Sequence, residues 1–255
     1  MRPSYLRIAL CAPVLLTSAC ATVHPAAPVG TSRPGVVRPT GIVPAGHTQL
    51  EVGYTHAEQD GRARDLVGET LLRVGVAPRT EVRAGWASYQ RTTLNGATTE
   101  GAGDLSVSFK HRFNDPRAWL PAVALTAGST LPTGADVVSA GEAQPEAALA
   151  TEWVLPYSLR ILGLASHRSA VAAGDRFGST TLGAAGRMPI GGRVTGQVEY
   201  THATSTRVGA ADVGQVRAGA ALRLTHEVQL DAYAGRADAA GKHEYLVGVG
   251  LTSRW

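Results

Sequence analysis

The sequence predicts an all-β protein: a transmembrane antiparallel up-and-down β-barrel of twelve strands, preceded by a signal peptide and a Pro-rich tether. Three observations carry this expectation. From His47 onward the chain is a succession of period-two segments separated by turn residues, the signature of strands with two unlike faces. The charged side chains fall almost entirely on one of those faces. The last segment, Glu244–Trp255, places Tyr245, Val247, Val249, Leu251 and Trp255 on one face and finishes on an aromatic. That ending fits a closing strand held in lipid with its ring at the interface, and it reads as a terminal insertion signal for barrel-insertion machinery.

The composition sets the bounds. The 255 residues are 44% hydrophobic and 17% charged, with 30 Gly, and no apolar run past the leader approaches the roughly 20 residues of a membrane helix. A membrane span must therefore be made of strands. A net charge of +4 is mild, and the arginines are scattered at strand spacing rather than clustered, which argues against a nucleic-acid partner. Both cysteines, Cys11 and Cys20, lie near the N-terminus. Disulfides, thiol catalysis and Cys-ligated zinc are thereby excluded from the rest of the chain.

Residues 1–20 have the layout of a signal peptide: Arg2 and Arg7, an apolar stretch over 8–16, then small residues. Thr17-Ser18-Ala19-Cys20 resembles a lipoprotein cleavage box that would leave Cys20 lipidated. Ordinary cleavage after Ala21 is the alternative. Either route exports the protein. Residues 21–46 carry Pro25, Pro28, Pro34, Pro39 and Pro44 without periodicity, so they are expected to form a disordered linker, and residues 47–255 to form the barrel.

The strands follow in order. The first, His47–His56, sets Leu50, Val52 and Tyr54 against Gln49, Glu51 and Thr55. The second, Leu66–Val76, sets Leu72 and Val74 against Glu69 and Arg73. Pro78-Arg79 turns it into a third, with Val82 and Trp86 opposite Glu81 and Arg83. In the fourth, Gly103–Phe113, Leu105, Val107 and Phe109 oppose Asp104, Lys110 and Arg112. The fifth is Trp119–Leu131, and the sixth, Glu146–Leu155, opposes Leu149 and Trp153 to Glu152. The seventh, Leu159–Ser166, is apolar on both faces apart from Arg160. The eighth, Gly178–Met188, opposes Leu182 to Arg187, and the ninth opposes Val198 and Tyr200 to Gln197 and Glu199. The tenth, Val213–Leu224, opposes Val216 and Leu222 to Arg217 and Arg223. The eleventh, Val228–Gly235, carries Asp231, and the twelfth closes the chain against the first, bringing Tyr54 and Tyr245 together.

An even strand count, a rhythm of short and longer connections, and aromatics sorted towards two rims favour a barrel over a two-sheet sandwich. A charge facing lipid at midplane costs about 2–4 kcal/mol. The segregated charges avoid that cost, with His111 the one awkward residue on the apolar face. The opposite face is therefore expected to line a lumen with Glu69, Arg73, Glu81, Arg83, Asp104, Lys110, Arg112, Glu152, Arg160, Arg187, Glu199, Arg217, Arg223 and Asp231. Twelve strands lie between the eight of a side-chain-filled barrel and the 16–18 of an aqueous pore.

No nucleophile elbow, phosphate loop or zinc-binding helix motif is present, so no catalytic residue, cofactor or metal site is expected. The residues point to a barrel in the outer membrane of a Gram-negative bacterium that passes or binds a small solute, aromatic or apolar ones included. Two alternatives stay open. One is a structural or adhesive barrel with a sealed lumen. The other is a barrel-wall hydrolase of lipids or esters, with His167 or His202 beside a serine.

Several blocks also resemble a known family: Gly46-His-Thr-Gln-Leu-Glu-Val-Gly-Tyr-Thr55, Gly68–Val76, Gly101–Lys110, Leu131-Pro-Thr-Gly134, Gly174-Asp-Arg-Phe177 and Val247–Trp255. The chain over 46–255 is similar to the outer-membrane "transporter" barrels labelled Putative MetA-pathway of phenol degradation. The resemblance implies uptake of aromatic compounds and brings no catalytic residues. The lipobox-like start departs from a plain signal peptide.

Overall fold

The computed structural model describes residues 28–255, so the leader and Cys20 lie outside the described residues. Fourteen strand segments follow one another: β1 (Thr48–Gln59), β2 (Arg62–Ala77), β3 (Thr80–Trp86), β4 (Tyr89–Leu94), β5 (Ala97–Ala102), β6 (Leu105–Arg112), β7 (Ala122–Leu131), β8 (Gln144–Val154), β9 (Arg160–Ala172), β10 (Asp175–Pro189), β11 (Val194–Ser205), β12 (Val213–Arg223), β13 (Val228–Ala239) and β14 (Lys242–Arg254). Every strand pairing is antiparallel, and β1 pairs with both β2 and β14, so the sheet closes on itself. Two of the staves are broken. β4 continues β3 past Ala87–Ser88 and pairs with the far half of β2, while β5 runs into β6 past Gly103–Asp104. The fourteen segments therefore build a closed twelve-stranded antiparallel barrel, as the alternation predicts.

Alternation fixes which side chains point where. On the outside, Val82, Leu105, Val107, Phe109, Leu149, Val198, Val216, Val247, Val249 and Leu251 form an exposed apolar belt. Such a surface needs lipid or a partner to cover it. His111 is accommodated at a strand end, where its Nδ1 lies 2.9 Å from the Thr80 hydroxyl and its ring meets Phe113 edge-on. On the lower rim, which carries the turn at Pro78-Arg79 and the end of β14, Trp119, Trp153, Tyr157 and Trp255 collect.

Two sequence expectations need correction here. The connections do not alternate between short and long. At the upper rim four of the six are two-residue hairpins, at Asp60-Gly61, Asn95-Gly96, Ala173-Gly174 and Ala240-Gly241. Both residues of the last three have positive φ, as right-handed strand twist requires of so tight a turn. The strands simply run further than their apolar halves indicate, because stretches such as Arg62–Asp65 and Gln90–Thr93 are polar on both faces. Likewise β1 does meet β14, but Tyr54 pairs with Val249 and Tyr245 with Glu58, which leaves Tyr245 higher on the wall.

At the lower rim Arg254 closes the β13 turn by donating to Glu227 from Nε (2.6 Å) and Nη2 (3.0 Å). This paired fork holds the Glu227 carboxyl down to about 2, from an ordinary 4.5. A depressed carboxyl stabilises the fold above its unfolded value, and the contribution is lost as pH falls through the folded one. Glu227→Gln is therefore expected to quicken amide exchange at the end of β14 at neutral pH. Near pH 2 the variant and the parent should converge.

Candidate functional site in the barrel lumen

The expectation of a disordered linker fails for residues 28–46. Val29 donates its N–H to the His226 carbonyl at the lower rim (3.0 Å), and at the other end the Gly46 N–H reaches Gly75 (2.9 Å). Between these points the segment rises into the lumen and returns. Val37 (0%), Thr40 (2%) and Val43 (2%) are fully buried. The reason lies in backbone hydrogen bonding, which a buried segment must satisfy somewhere. Pro28, Pro34, Pro39 and Pro44 remove four donors, and the wall supplies partners for the rest.

Four inward carboxylates accept backbone N–H groups of the segment. Glu51 takes Ser32 (3.1 Å), and Glu199 takes Val36 (2.8 Å) and Val37 (3.0 Å). Glu152 takes both the N–H (2.9 Å) and hydroxyl (2.7 Å) of Thr40, and Glu81 takes Val43 (2.8 Å). Cations serve the carbonyls. Lys110 Nζ donates to Pro39 (2.6 Å) and Gly41 (3.0 Å), while Arg73 donates to Gly30 (3.1 Å) and Gly41 (3.2 Å). A hydrogen bond to a charged group contributes about 1.5–3 kcal/mol, so this set fixes a path that the segment's own sequence cannot. Apolar contact adds to it: Val37 packs on Leu162, Leu164, Ala148 and Ala185. That contact explains why the seventh predicted strand, now part of β9, is apolar on its inner face.

The segment also sends Arg33 into the wall. Its Nε donates to Asp231 (3.3 Å) and its Nη2 to the Val249 carbonyl (3.0 Å), with Glu69 3.6 Å from Nη1. Gly53 and Gly250 are cross-strand partners. A Cβ on either would come within 2.3 Å of the Arg33 side chain, so both positions must lack one for the guanidinium to lie there.

The predicted lining residues thus divide. Glu69, Arg73, Glu81, Arg83, Lys110, Glu152, Arg187, Glu199 and Asp231 gather around residues 30–43. Arg83 donates to the Ser32 hydroxyl (3.2 Å), Arg187 bonds Gln197 and the Arg33 carbonyl, and Arg160 pairs with Glu152 (2.6 Å). The others do different work. Asp104 accepts from Gly134 (2.9 Å) and Ala140 (3.2 Å) and so pins the long upper loop. Arg112 pairs with Asp115 (2.5 Å), and Arg223 caps Gly192 (2.9 Å), both at lower turns. Arg217 stands apart over the Tyr233 ring, 4.9 Å from its centroid. Sequence reasoning missed Tyr233, which points inward, and Arg33 and Arg38, which belong to the expected linker. Valines spaced among the prolines at 36, 37 and 43 were the available signal.

Above the arch the lumen is not filled. Cavities of about 360, 300 and 280 Å³ surround Arg33–Arg38. The largest is lined by Arg38, Arg83, Arg168, Glu146, Ser106 and Ser108, among others. Of the histidines weighed as hydrolytic, His167 meets the Thr180 hydroxyl (2.9 Å) and His202 lies 3.6 Å from Asp212. No serine hydroxyl is among these partners. Among the described residues no group of His, Cys, Asp and Glu is placed to hold a metal ion.

A closed antiparallel barrel with an apolar outer belt and a charged interior defines an outer-membrane-type β-barrel. The family model Putative MetA-pathway of phenol degradation matches residues 31–254, and the chain belongs to that family. No curated protein matches it in sequence. Among solved structures it is similar to an outer membrane channel from Pseudomonas putida, with a TM-score of 0.67 and 17% identity, covering 85% of this chain and 98% of that one. It is also similar to the NanC porin (TM-score 0.55, 10% identity, 78% and 98% covered) and the KdgM porin (0.52, 12%, 78% and 97%). At these identities the likeness is one of fold.

Proposed function

We propose that this chain is a channel in the outer membrane of a Gram-negative bacterium, admitting small solutes to a charged vestibule and passing them slowly around residues 28–46. The observation that carries the reading is the unfilled space above the arch, in a barrel whose inner wall is polar. A purely structural barrel of this strand count could fill that space with side chains. The family's name ties it to phenol degradation, which puts aromatic compounds among the solutes to test. The first and last strands of the wall meet at the lower rim, through Thr48 and Trp255, and this reading sets that rim at the periplasm. The Tyr245–Trp255 pattern then serves the insertion machinery, and Cys20 is either lipidated or removed by cleavage after Ala21. The mass of the mature N-terminus decides between those two routes.

The burial of Val37 and Thr40 across the lumen favours a second reading, a sealed structural or adhesive barrel. Liposome swelling separates the two. The channel reading expects the intact protein to admit arabinose and similarly small solutes faster than protein-free liposomes do. Equal rates for every small solute tried would favour the sealed barrel.

A further inference from the structure

One cavity beside the arch has the chemistry of a binding site rather than a passage. It measures about 300 Å³ and lies between the arch and β1, β2, β12, β13 and β14. Its two carboxylates are engaged. Glu69 accepts from Thr55 (2.7 Å) and lies 3.6 Å from Arg33, and Glu244 lies 3.6 Å from Arg64. Arg217 is different. Among the described residues its guanidinium has no carboxylate within the 4.0 Å of an ion pair, and its buried Nε has no hydrogen-bond acceptor.

The group beneath Arg217 is rigid. Tyr233 is buried against the wall, and its hydroxyl shares a 2.6 Å hydrogen bond with Thr55, itself tied to Glu69. The ring fits there because Gly248 has no side chain; a Cβ at that position would sit 2.5 Å from the ring. An Arg stacked on a fixed ring is pre-ordered, with its edge donors left to meet a planar anion. The remaining walls mix Ala57, Leu66 and Leu246 with the Gln215 amide and with Arg33, Arg38 and Arg64, each of which already faces a carboxylate. One unpaired guanidinium fork beside the small apolar patch of Ala57, Leu66 and Leu246 matches one anionic head on a short apolar body.

We propose that Arg217, Tyr233 and Gln215 form a binding site for a small organic monocarboxylate, the carboxylate held by the Arg217 fork and the apolar body laid against Leu66 and Leu246. This rests on the vestibule being open to solute, and it narrows the solute class. Benzoate serves as the probe and benzyl alcohol as its uncharged counterpart, titrated calorimetrically into the full purified chain in detergent. Benzoate should bind at least about tenfold more tightly than benzyl alcohol, since a bidentate charged pair is lost in the latter. Arg217→Gln should lower benzoate affinity about tenfold and leave benzyl alcohol unchanged. Arg217→Lys, which keeps the charge and loses the fork, should fall between. Benzoate affinity equal in the parent and both variants, or no benzoate binding by the parent, would overturn the site. Arabinose swelling on the same preparations keeps the two ideas separate. Arabinose passage without benzoate binding removes the site and leaves the channel. Benzoate binding without arabinose passage removes the channel and leaves the site.

Discussion

A variant lacking residues 30–44 is expected to conduct several times more current across a planar bilayer than the intact protein. The barrel does not depend on this segment for its ladder: every stave pairs with neighbours on both sides, and the segment adds only the isolated bridge between Ala45 and Gly75. Its removal vacates the cross-section that Arg33, Val37 and Thr40 occupy. Water then reaches Glu51, Glu81, Glu152 and Glu199, which each hold a backbone N–H of the segment in the intact protein. A twelve-stranded wall leaves an interior wider than the side-chain-filled eight-stranded kind, so the vacated lumen should carry ions freely. A current unchanged by the deletion would mean that the narrowest point lies elsewhere, in the wall or at the upper loops.

The largest stability effect is expected at Arg73. Its side chain is 2% exposed and lies between Glu51 (2.9 Å) and Glu81 (2.8 Å), themselves buried. Arg73→Met keeps the bulk and removes the charge that the two carboxylates share. Leaving buried ions without their partner costs about 3–5 kcal/mol, and the Gly30 and Gly41 carbonyls each lose one of two donors. Denaturant unfolding should show a correspondingly lower midpoint. Arg160→Met is the control, because Arg160 is 50% exposed although it also pairs with a buried acid, Glu152. An exposed partner is screened by water, and its loss should cost about 1 kcal/mol or less. Equal costs at the two positions would contradict a buried network centred on Arg73.

The wall was legible in the sequence because each strand resolves into a lipid side and a lumen side, and burying a charge on the wrong one is costly. That single pressure writes Glu81 and Arg83 opposite Val82, and Lys110 opposite Phe109. The lumen's contents were not legible for the converse reason. Residues 28–46 have no periodicity because they form no regular element; their path is imposed by Glu51, Glu199, Glu152 and Glu81 from four different strands. Those carboxylates could be read as lining, but not as acceptors for a particular backbone N–H. The upper strand ends were missed because Arg62–Asp65 and Thr98–Glu100 stand outside the apolar belt, where neither face is selected for lipid. Arg33 needed the pairing of Gly53 with Gly250, which is a fact of register that only the closed barrel supplies.

The central claim, that the chain's own N-terminal segment occupies the lumen, is tested most directly by thiol protection. A cysteine placed at Val37, in a chain with Cys20 replaced by Ser, is challenged with a water-soluble maleimide while the protein is folded in liposomes. A second cysteine variant at Val208, which is 100% exposed, sets the unprotected rate. The structure predicts that the thiol at position 37 stays unlabelled in the folded protein and reacts at the rate of the position 208 control once the barrel is denatured. Labelling as fast as the control in the folded protein would contradict it.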